Sequence, residues 1–303
     1  MEKLALSDEI LLTVEKPARY IGNEINSVIK DKSKIDVRFA FCFPDVYEIG
    51  MSHLGMQILY HTFNSYDDVW CERVFSPWVD LDKIMREQNI PLFALESQES
   101  IKNFDFLGFT LQYEMCYTNI LQVLELSKIA LLAKDRTEND PIIIGGGPCT
   151  YNPEPIADFF DIFYIGEGEV SYRALFDLYK ECKLNWNRQE FLRKAASIPG
   201  IYVPSLYDVS YKEDGTIASF KPMYEDVPAT VAKTIVSDMT ESPYPQKQVV
   251  PFIKVTQDRV VLEIQRGCIR GCRFCQAGQI YRPVRERNVE KLKEYAIALL
   301  KAT

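Results

Sequence analysis

Apolar residues run almost without interruption through VRFAFCFP (37–44), and Pro44 with Asp45 ends the run. An unbroken apolar stretch of that length predicts a buried strand. LGMQILYHTF (54–63) then takes up the three-and-four spacing of a helix. FDFLGFTLQ (104–112) predicts a second strand, and Asn119 to Lys134 a helix with Thr118 available as its cap. PIIIGGGP (141–148) is a short apolar strand running into glycines; DIFYIGEGE (161–169) repeats that design before a helix from Val170 to Cys182. The first thirty residues alternate in a broadly helical way, interrupted by Pro17. Apolar strands without polar alternation, separated by helices, predict an α/β fold with a doubly wound parallel sheet of Rossmann-like type.

From Pro199 the texture changes. LYDVSYKEDGTIASF (206–220) predicts a hairpin turning at Asp214-Gly215. The stretch to Pro251 carries Pro222, Pro228, Pro243 and Pro245 and reads as a connector with at most one strand, at Val231–Val236. RVVLEIQ (259–265) predicts a new strand, apolar enough to be buried on both sides, that runs into a cysteine-rich loop. Asn288 then caps a helix with Val289, Leu292, Ala296 and Leu299 on one face. The resulting division is 1–200 for the α/β domain, 201–254 for hairpin and connector, and 255–303 for a separate unit.

A length of 303 residues agrees with about two domains, and 47% apolar residues exclude a disordered chain. No run approaches the roughly 20 apolar residues of a membrane span, and MEKLALSDEI lacks the features of a secretory signal. A cytoplasmic protein without membrane partners is the expectation. Charge alters the picture. From Lys254 to Thr303 there are eleven Lys/Arg against five Asp/Glu, net +6, so the residues before carry −14 of the overall −8. Such a basic segment is either a solvated face or a counterweight to an anionic thiolate cluster or substrate.

Eight cysteines are too sparse for a disulfide scaffold. Cys42, Cys71, Cys116, Cys149 and Cys182 stand alone and read as small buried thiols. Cys268, Cys272 and Cys275 lie together as C-x3-C-x2-C, a spacing that lets three thiolates converge on one metal centre. Structural zinc takes four ligands, and the histidines, His53 and His61, lie some two hundred residues upstream. Zinc with a fourth, distant cysteine stays open as an alternative. A [4Fe–4S] cluster held by three cysteines leaves one iron free to bind a substrate or cofactor. Gly267 and Gly271 let backbone N–H groups approach cluster sulfurs, and Phe274 can shield the loop from water.

The stretch EIQRGCIRGCRFCQAG, between a strand and a helix, resembles the opening of a radical S-adenosylmethionine (SAM) domain, whose C-x3-C-x-aromatic-C loop matches Cys268, Cys272, Phe274 and Cys275. The resemblance implies a [4Fe–4S] cluster whose open iron takes the amino and carboxylate groups of SAM, with Phe274 beside the cofactor. One-electron reduction then cleaves SAM to a 5′-deoxyadenosyl radical that abstracts hydrogen from a substrate. It also implies the first β/α unit of a TIM-type barrel, and an electron donor such as flavodoxin or ferredoxin. GGGPCTYNPEPIADFFDIFYIGEGEV (145–170) resembles the cobalamin-binding-type domain that precedes many radical SAM domains. FPDVYEIGMSHLGMQILY and FTLQYEMCYTNIL are similar to an uncharacterised two-domain family of that kind. Gly145, Gly146, Gly147, Gly166, Glu167 and Gly168 would then line a cobalamin crevice; simple strand-to-helix turns explain them as well, with Glu167 exposed on either reading.

Two departures from the family pattern matter. Cobalt ligation through histidine uses D-x-H-x-x-G, which Met51, Ser52, His53, Leu54 and Gly55 do not match, so His53 and His61 read as helix-end and helix-face residues. A radical SAM barrel needs about six β/α units and this chain contains one, so the expectation is a chain that stops early in its barrel and is weakly active alone. Catalytic residues beyond the cysteines are not legible. The rival readings are a radical SAM protein transferring methyl or methylthio groups to RNA, which the basic segment permits, and a non-catalytic iron–sulfur or zinc module that binds a partner chain.

Overall fold

The computed structural model describes residues 4–303. After the single helical turn α1 (Asp8–Leu11) come β1 (Val37–Phe43), α2 (Tyr47–Gly50), α3 (Leu54–Asn64), β2 (Val69–Phe75), α4 (Val79–Gln88), β3 (Phe106–Thr110) and α5 (Tyr117–Leu126). They are followed by β4 (Ile142–Gly146), β5 (Ile162–Tyr164), α6 (Tyr172–Lys183), α7 (Arg188–Ala195) and β6 (Ile201–Tyr202). These six strands form one sheet in the order 2-1-3-4-5-6. The first five are parallel, with Phe39 opposite Cys71 and Phe106, and Ile144 opposite Ile162; β6 closes the edge antiparallel, Phe163 against Tyr202. A mixed α/β architecture around a mostly parallel sheet, consistent with a Rossmann-like fold, is thus what the apolar strand pattern foretold.

Phe39 and Phe106 meet Phe63 of α3, Phe176 of α6 and Phe191 of α7, with ring centroids between 5.1 and 6.2 Å apart. A right-handed crossover from β1 to β2 puts α3 on this face, and the reversed direction from β2 to β4 carries α4 and α5 to the other. The direction of winding reverses at β1, the place where such sheets open a crevice at their carboxyl ends.

Strand β2 and helices α4 and α7 have no counterpart in the sequence pattern. VWCERVF is buried along its whole length although it carries two charges. Arg73 holds Glu96 at 2.6 Å and Glu24 at 2.7 Å, and Glu72 receives Arg38 at 2.6 Å and the Ser97 N–H at 2.9 Å. Paired in this way, the charges sit in a strand whose polar residues look like loop in one dimension. The expected helix from 119 to 134 stops at Leu126, because Lys128 takes a left-handed φ of 58°, and Thr118 lies inside the helix rather than at its cap. The helical pattern of the first thirty residues yields only α1 and a 3-10 turn at Pro17–Arg19.

That N-terminal segment is instead held by its charges. Glu48 accepts from Lys16 at 2.9 Å and from Arg19 at 2.8 Å. Burial raises its pKa, but the hydrogen bonds from Arg19 and Lys16 outweigh that and bring it to about 2. A carboxyl whose pKa falls on folding adds stability above its unfolded value and loses it as pH drops through the folded one. We expect the stability of Glu48→Gln to vary less between pH 4.5 and 2 than that of the unchanged chain, as followed by urea midpoints; identical slopes would show that the pair adds nothing.

The hairpin forms as expected, β7 (Tyr207–Tyr211) against β8 (Ile217–Pro222). The connector strand reduces to one bridge, Thr234 beside Gly166. The strand expected over 259–265 shrinks to β9 (Gln265–Arg266), paired antiparallel with β10 (Arg285–Glu286), and Ile264 is exposed. Between them lies the single turn α8 (Ala277–Ile280). Helix α9 (Val289–Ala302) is capped by Asn288 as expected, but it buries Tyr295 and Leu299 while Val289 is exposed. Those two residues form a small second core with Tyr244 and with Ile58 of α3, so the C-terminal segment packs on the sheet domain's own helix. No helix is long and apolar enough to cross a membrane among the described residues.

Candidate functional site

Four parallel strands end at one crevice. A cavity of about 400 Å³ is lined by Phe41 of β1, Thr110 at the end of β3 with Gln112 beyond it, Gly146 at the end of β4 with Gly147 beyond it, and Gly166, Glu167 and Gly168 after β5. Its size is that of a small-molecule site, and its position is the one parallel sheets reserve for ligands. The opposite wall comes from the far end of the chain: Glu263, Gln265, Arg266 and Gly267 lead into Cys268, and Ile280, Tyr281 and Arg282 leave the cysteine loop. The strand ends and the stems of the cysteine loop therefore share one cavity.

Of the glycines singled out in the sequence, Gly145 lies outside the lining, its Cα packed so closely that a Cβ would stand 2.9 Å from Leu111 and Phe163. A Cβ on Gly146 would meet nothing within 4 Å, so this position opens onto free space. Gly166 has a φ of +119°, and a Cβ there would stand 2.4 Å from the backbone of Thr234. Glycine is needed at that position for the connector to pass, whatever the crevice holds.

His53 lines the cavity from the start of α3 and caps that helix: its Nδ1 accepts the Met56 N–H at 3.1 Å. Burial lowers its pKa, so the ring is neutral at pH 7. With Nδ1 accepting, the proton sits on Nε2, which then presents a donor and no lone pair for a metal. Helix-end duty, as the departure from D-x-H-x-x-G suggested, is what the structure gives His53.

The expectation that Glu167 is exposed is corrected. Its carboxylate takes the two terminal Arg285 guanidinium nitrogens, at 2.6 and 2.7 Å, and the Val236 N–H at 2.6 Å. Burial raises its pKa, but Arg285, Val236 and Arg266 together bring it below the ordinary glutamate value. Arg266 reaches Glu169 at 2.6 Å and Glu263 at 2.8 Å, and Arg287 reaches Glu263 at 3.1 Å. Three of the eleven basic residues of the C-terminal segment, Arg266, Arg285 and Arg287, are thus neutralised inside the protein. Arg270, Arg273 and Arg282 have no carboxylate within ion-pair distance among the described residues and remain to act on an anion. Sequence reasoning missed Glu169, Glu263, Arg266 and Arg285, because charges flanking a loop look solvated until the partners that Arg266 and Arg285 find in Glu169 and Glu167, 97 and 118 residues away, are known.

The three thiols of Cys268, Cys272 and Cys275 lie on the loop beyond β9, with Cys272 and Cys275 exposed and Cys268 half-buried. The Cys275 N–H donates to the Cys272 carbonyl at 3.2 Å, and the Arg270 N–H points to the Cys268 sulfur at 3.4 Å. No three His, Cys, Asp or Glu side chains are gathered closely enough to grip an ion among the described residues. The donor set nevertheless fits an iron–sulfur cluster: three soft thiolates on one turn, a backbone N–H aimed at a sulfur, and no carboxylate among them. Phe274 is 93% exposed and shields nothing. Cys42, Cys71, Cys116 and Cys149 are buried as expected, whereas Cys182 is half-buried.

Residues 55–204 match the family described as radical SAM proteins, N-terminal. That span holds the fold from helix α3 to β6, with the crevice glycines after β4 and β5, and ends before Cys268, Cys272 and Cys275. An uncharacterized protein of Methanocaldococcus jannaschii is 28% identical over 265 residues, covering 84% of this chain and 44% of its own. A protein of Pyrococcus horikoshii named an uncharacterized methyltransferase is 26% identical over 203 residues, covering 64% of this chain and 37% of its own. The chain spans less than half the length of these curated relatives. No solved structure matches. These likenesses support a radical SAM-related, enzyme-like family.

Proposed function

We propose that the chain works as a radical SAM protein: Cys268, Cys272 and Cys275 hold a [4Fe–4S] cluster, SAM binds beside it, and the crevice receives the group on which the chemistry acts. The observation that carries this reading is the shared cavity, walled on one side by the strand ends and on the other by both stems of the cysteine loop. When bound, the cluster supplies the electron that cleaves SAM reductively. The chain's own residues do the rest. Arg282 at the cavity wall and Arg270 and Arg273 on the loop draw in anionic groups. Lys233 donates to the Ile280 and Arg282 carbonyls at 3.1 and 2.7 Å, and Tyr151 to that of Ile280 at 3.2 Å, which fixes the descending stem against the crevice. Phe41, Tyr164 and Tyr172 line the cavity with apolar surface that excludes water.

The division at about 200 and 254, the beginning of a barrel at 255–303, a cytoplasmic setting and a flavodoxin- or ferredoxin-like donor belong to the same proposal. So does cobalamin as the crevice's second cofactor. The strand order and the open space beside Gly146 suit one end of a molecule that large, while the His53 tautomer does not suit cobalt ligation. Gly146→Val should therefore leave melting unchanged yet abolish retention of cobalamin through gel filtration, and His53→Asn, which keeps a cap, should retain it. Strong dependence on His53 would overturn the ligand-free reading, and equal retention by Gly146→Val would remove cobalamin from the crevice. Methyl transfer is the second reading, favoured by the Pyrococcus relative's name alone.

A further inference from the structure

The base of the cysteine loop is an electrostatic problem with a solution drawn from the crevice. The β9–β10 ribbon has two facing pairs, Gln265 with Glu286 and, next to the loop, Arg266 with Arg285. Like charges on a cross-strand pair repel, and a ribbon of two residues per strand has little else to hold it. This ribbon closes the segment 267–284 that carries all three clustered cysteines. Gly267, the first residue past it, has a φ of +92° and lies so near the returning strand that a Cβ would stand 2.6 Å from the Pro283 carbonyl oxygen.

We propose that Glu167 is the positioning residue that closes the cysteine loop. Its carboxylate grips Arg285 through two hydrogen bonds and stands 3.3 Å from Arg266, so one anion bridges the two opposed cations. Glu169 and Glu263 hold Arg266 in addition, whereas Glu167 is the one carboxylate within ion-pair distance of Arg285 among the described residues. Glu167 also lines the crevice between Gly166 and Gly168, and its backbone N–H donates to the Thr234 carbonyl at 3.0 Å. What fills the crevice therefore presses on the residue that sets the spacing of the cysteine stems. The role in cluster assembly rests on the function proposed above; the closure of the loop does not.

Removing the anion should open the loop, and removing the opposed cation as well should close it again. Hydrogen exchange of the cluster-free full chain should show backbone amides of 267–284 exchanging at least fivefold faster in Glu167→Gln, and within twofold of the original rate in Glu167→Gln/Arg285→Gln. After anaerobic loading with iron and sulfide, iron loss to a chelator should follow the same order, with unchanged circular dichroism and melting temperature. Unchanged exchange in the single variant, or a double variant as open as the single, would overturn the clip. Failure of every variant and of the parent to take up iron would instead overturn the proposed function and leave the exchange result standing as the test of the clip.

Discussion

Alanine at any one of Cys268, Cys272 or Cys275 is expected to remove the visible absorption of the iron–sulfur-loaded protein, while alanine at Cys182 leaves it intact. Three thiolates are the fewest that hold a cubane cluster with one iron open, so no single loss is tolerated. Cys182 is the comparison because, alone among the five isolated cysteines, it is only half-buried, so its replacement by alanine disturbs the core least. Absorption spectra with iron and sulfide analysis of the four variants check this. Equal loss on Cys182→Ala would indicate a four-cysteine site without an open iron, and retention by any of the first three would place the cluster elsewhere.

The second large effect lies far from the cysteines. Arg73→Met should destabilise the fold by about 3–5 kcal/mol, because it leaves Glu24 and Glu96 buried and facing one another without the cation that joins them. The Arg73 guanidinium is 2% exposed, and Tyr47 and Tyr60 each donate to one of those carboxylates at 2.9 Å, so the whole group loses its centre at once. The urea midpoint should fall accordingly, and Glu24→Gln/Arg73→Met/Glu96→Gln should recover part of the loss, since no unpaired charge then remains. A fall of less than about 1 kcal/mol would contradict this, and would mean that Glu24 and Glu96 relieve their charge by taking up protons once Arg73 is gone.

These two sites bracket what the sequence could disclose. Strands β1, β3, β4 and β5 were legible because VRFAFCF, FLGFT, IIIGG and IFY are apolar apart from Arg38 and the terminal Thr110, the mark of a strand covered on both faces. VWCERVF was not, since Glu72 and Arg73 interrupt it and their partners Arg38, Glu24 and Glu96 are scattered over 72 residues. The cysteine triad and the crevice glycines were visible as residues, and their meeting at one cavity was not. Contact between Arg266 and Glu167 is a property of the folded sheet, with no local pattern to announce it. The opposite error occurred at RVVLEIQ: its apolar run promised a strand, but after Gln257 its neighbours are the side of α3 and Tyr244, whose hydroxyl donates to the Val261 carbonyl and accepts the Glu263 N–H. Side-chain hydrogen bonding took the place of a sheet partner.

An open iron at the cysteine loop should engage SAM. The direct measurement is electron paramagnetic resonance of the anaerobically loaded, dithionite-reduced chain, recorded with and without SAM alongside metal analysis. The expected result is about four iron and four sulfide per chain and a reduced-cluster signal whose g-values shift when SAM is added. Zinc in place of iron, or a cluster signal indifferent to SAM, would contradict it.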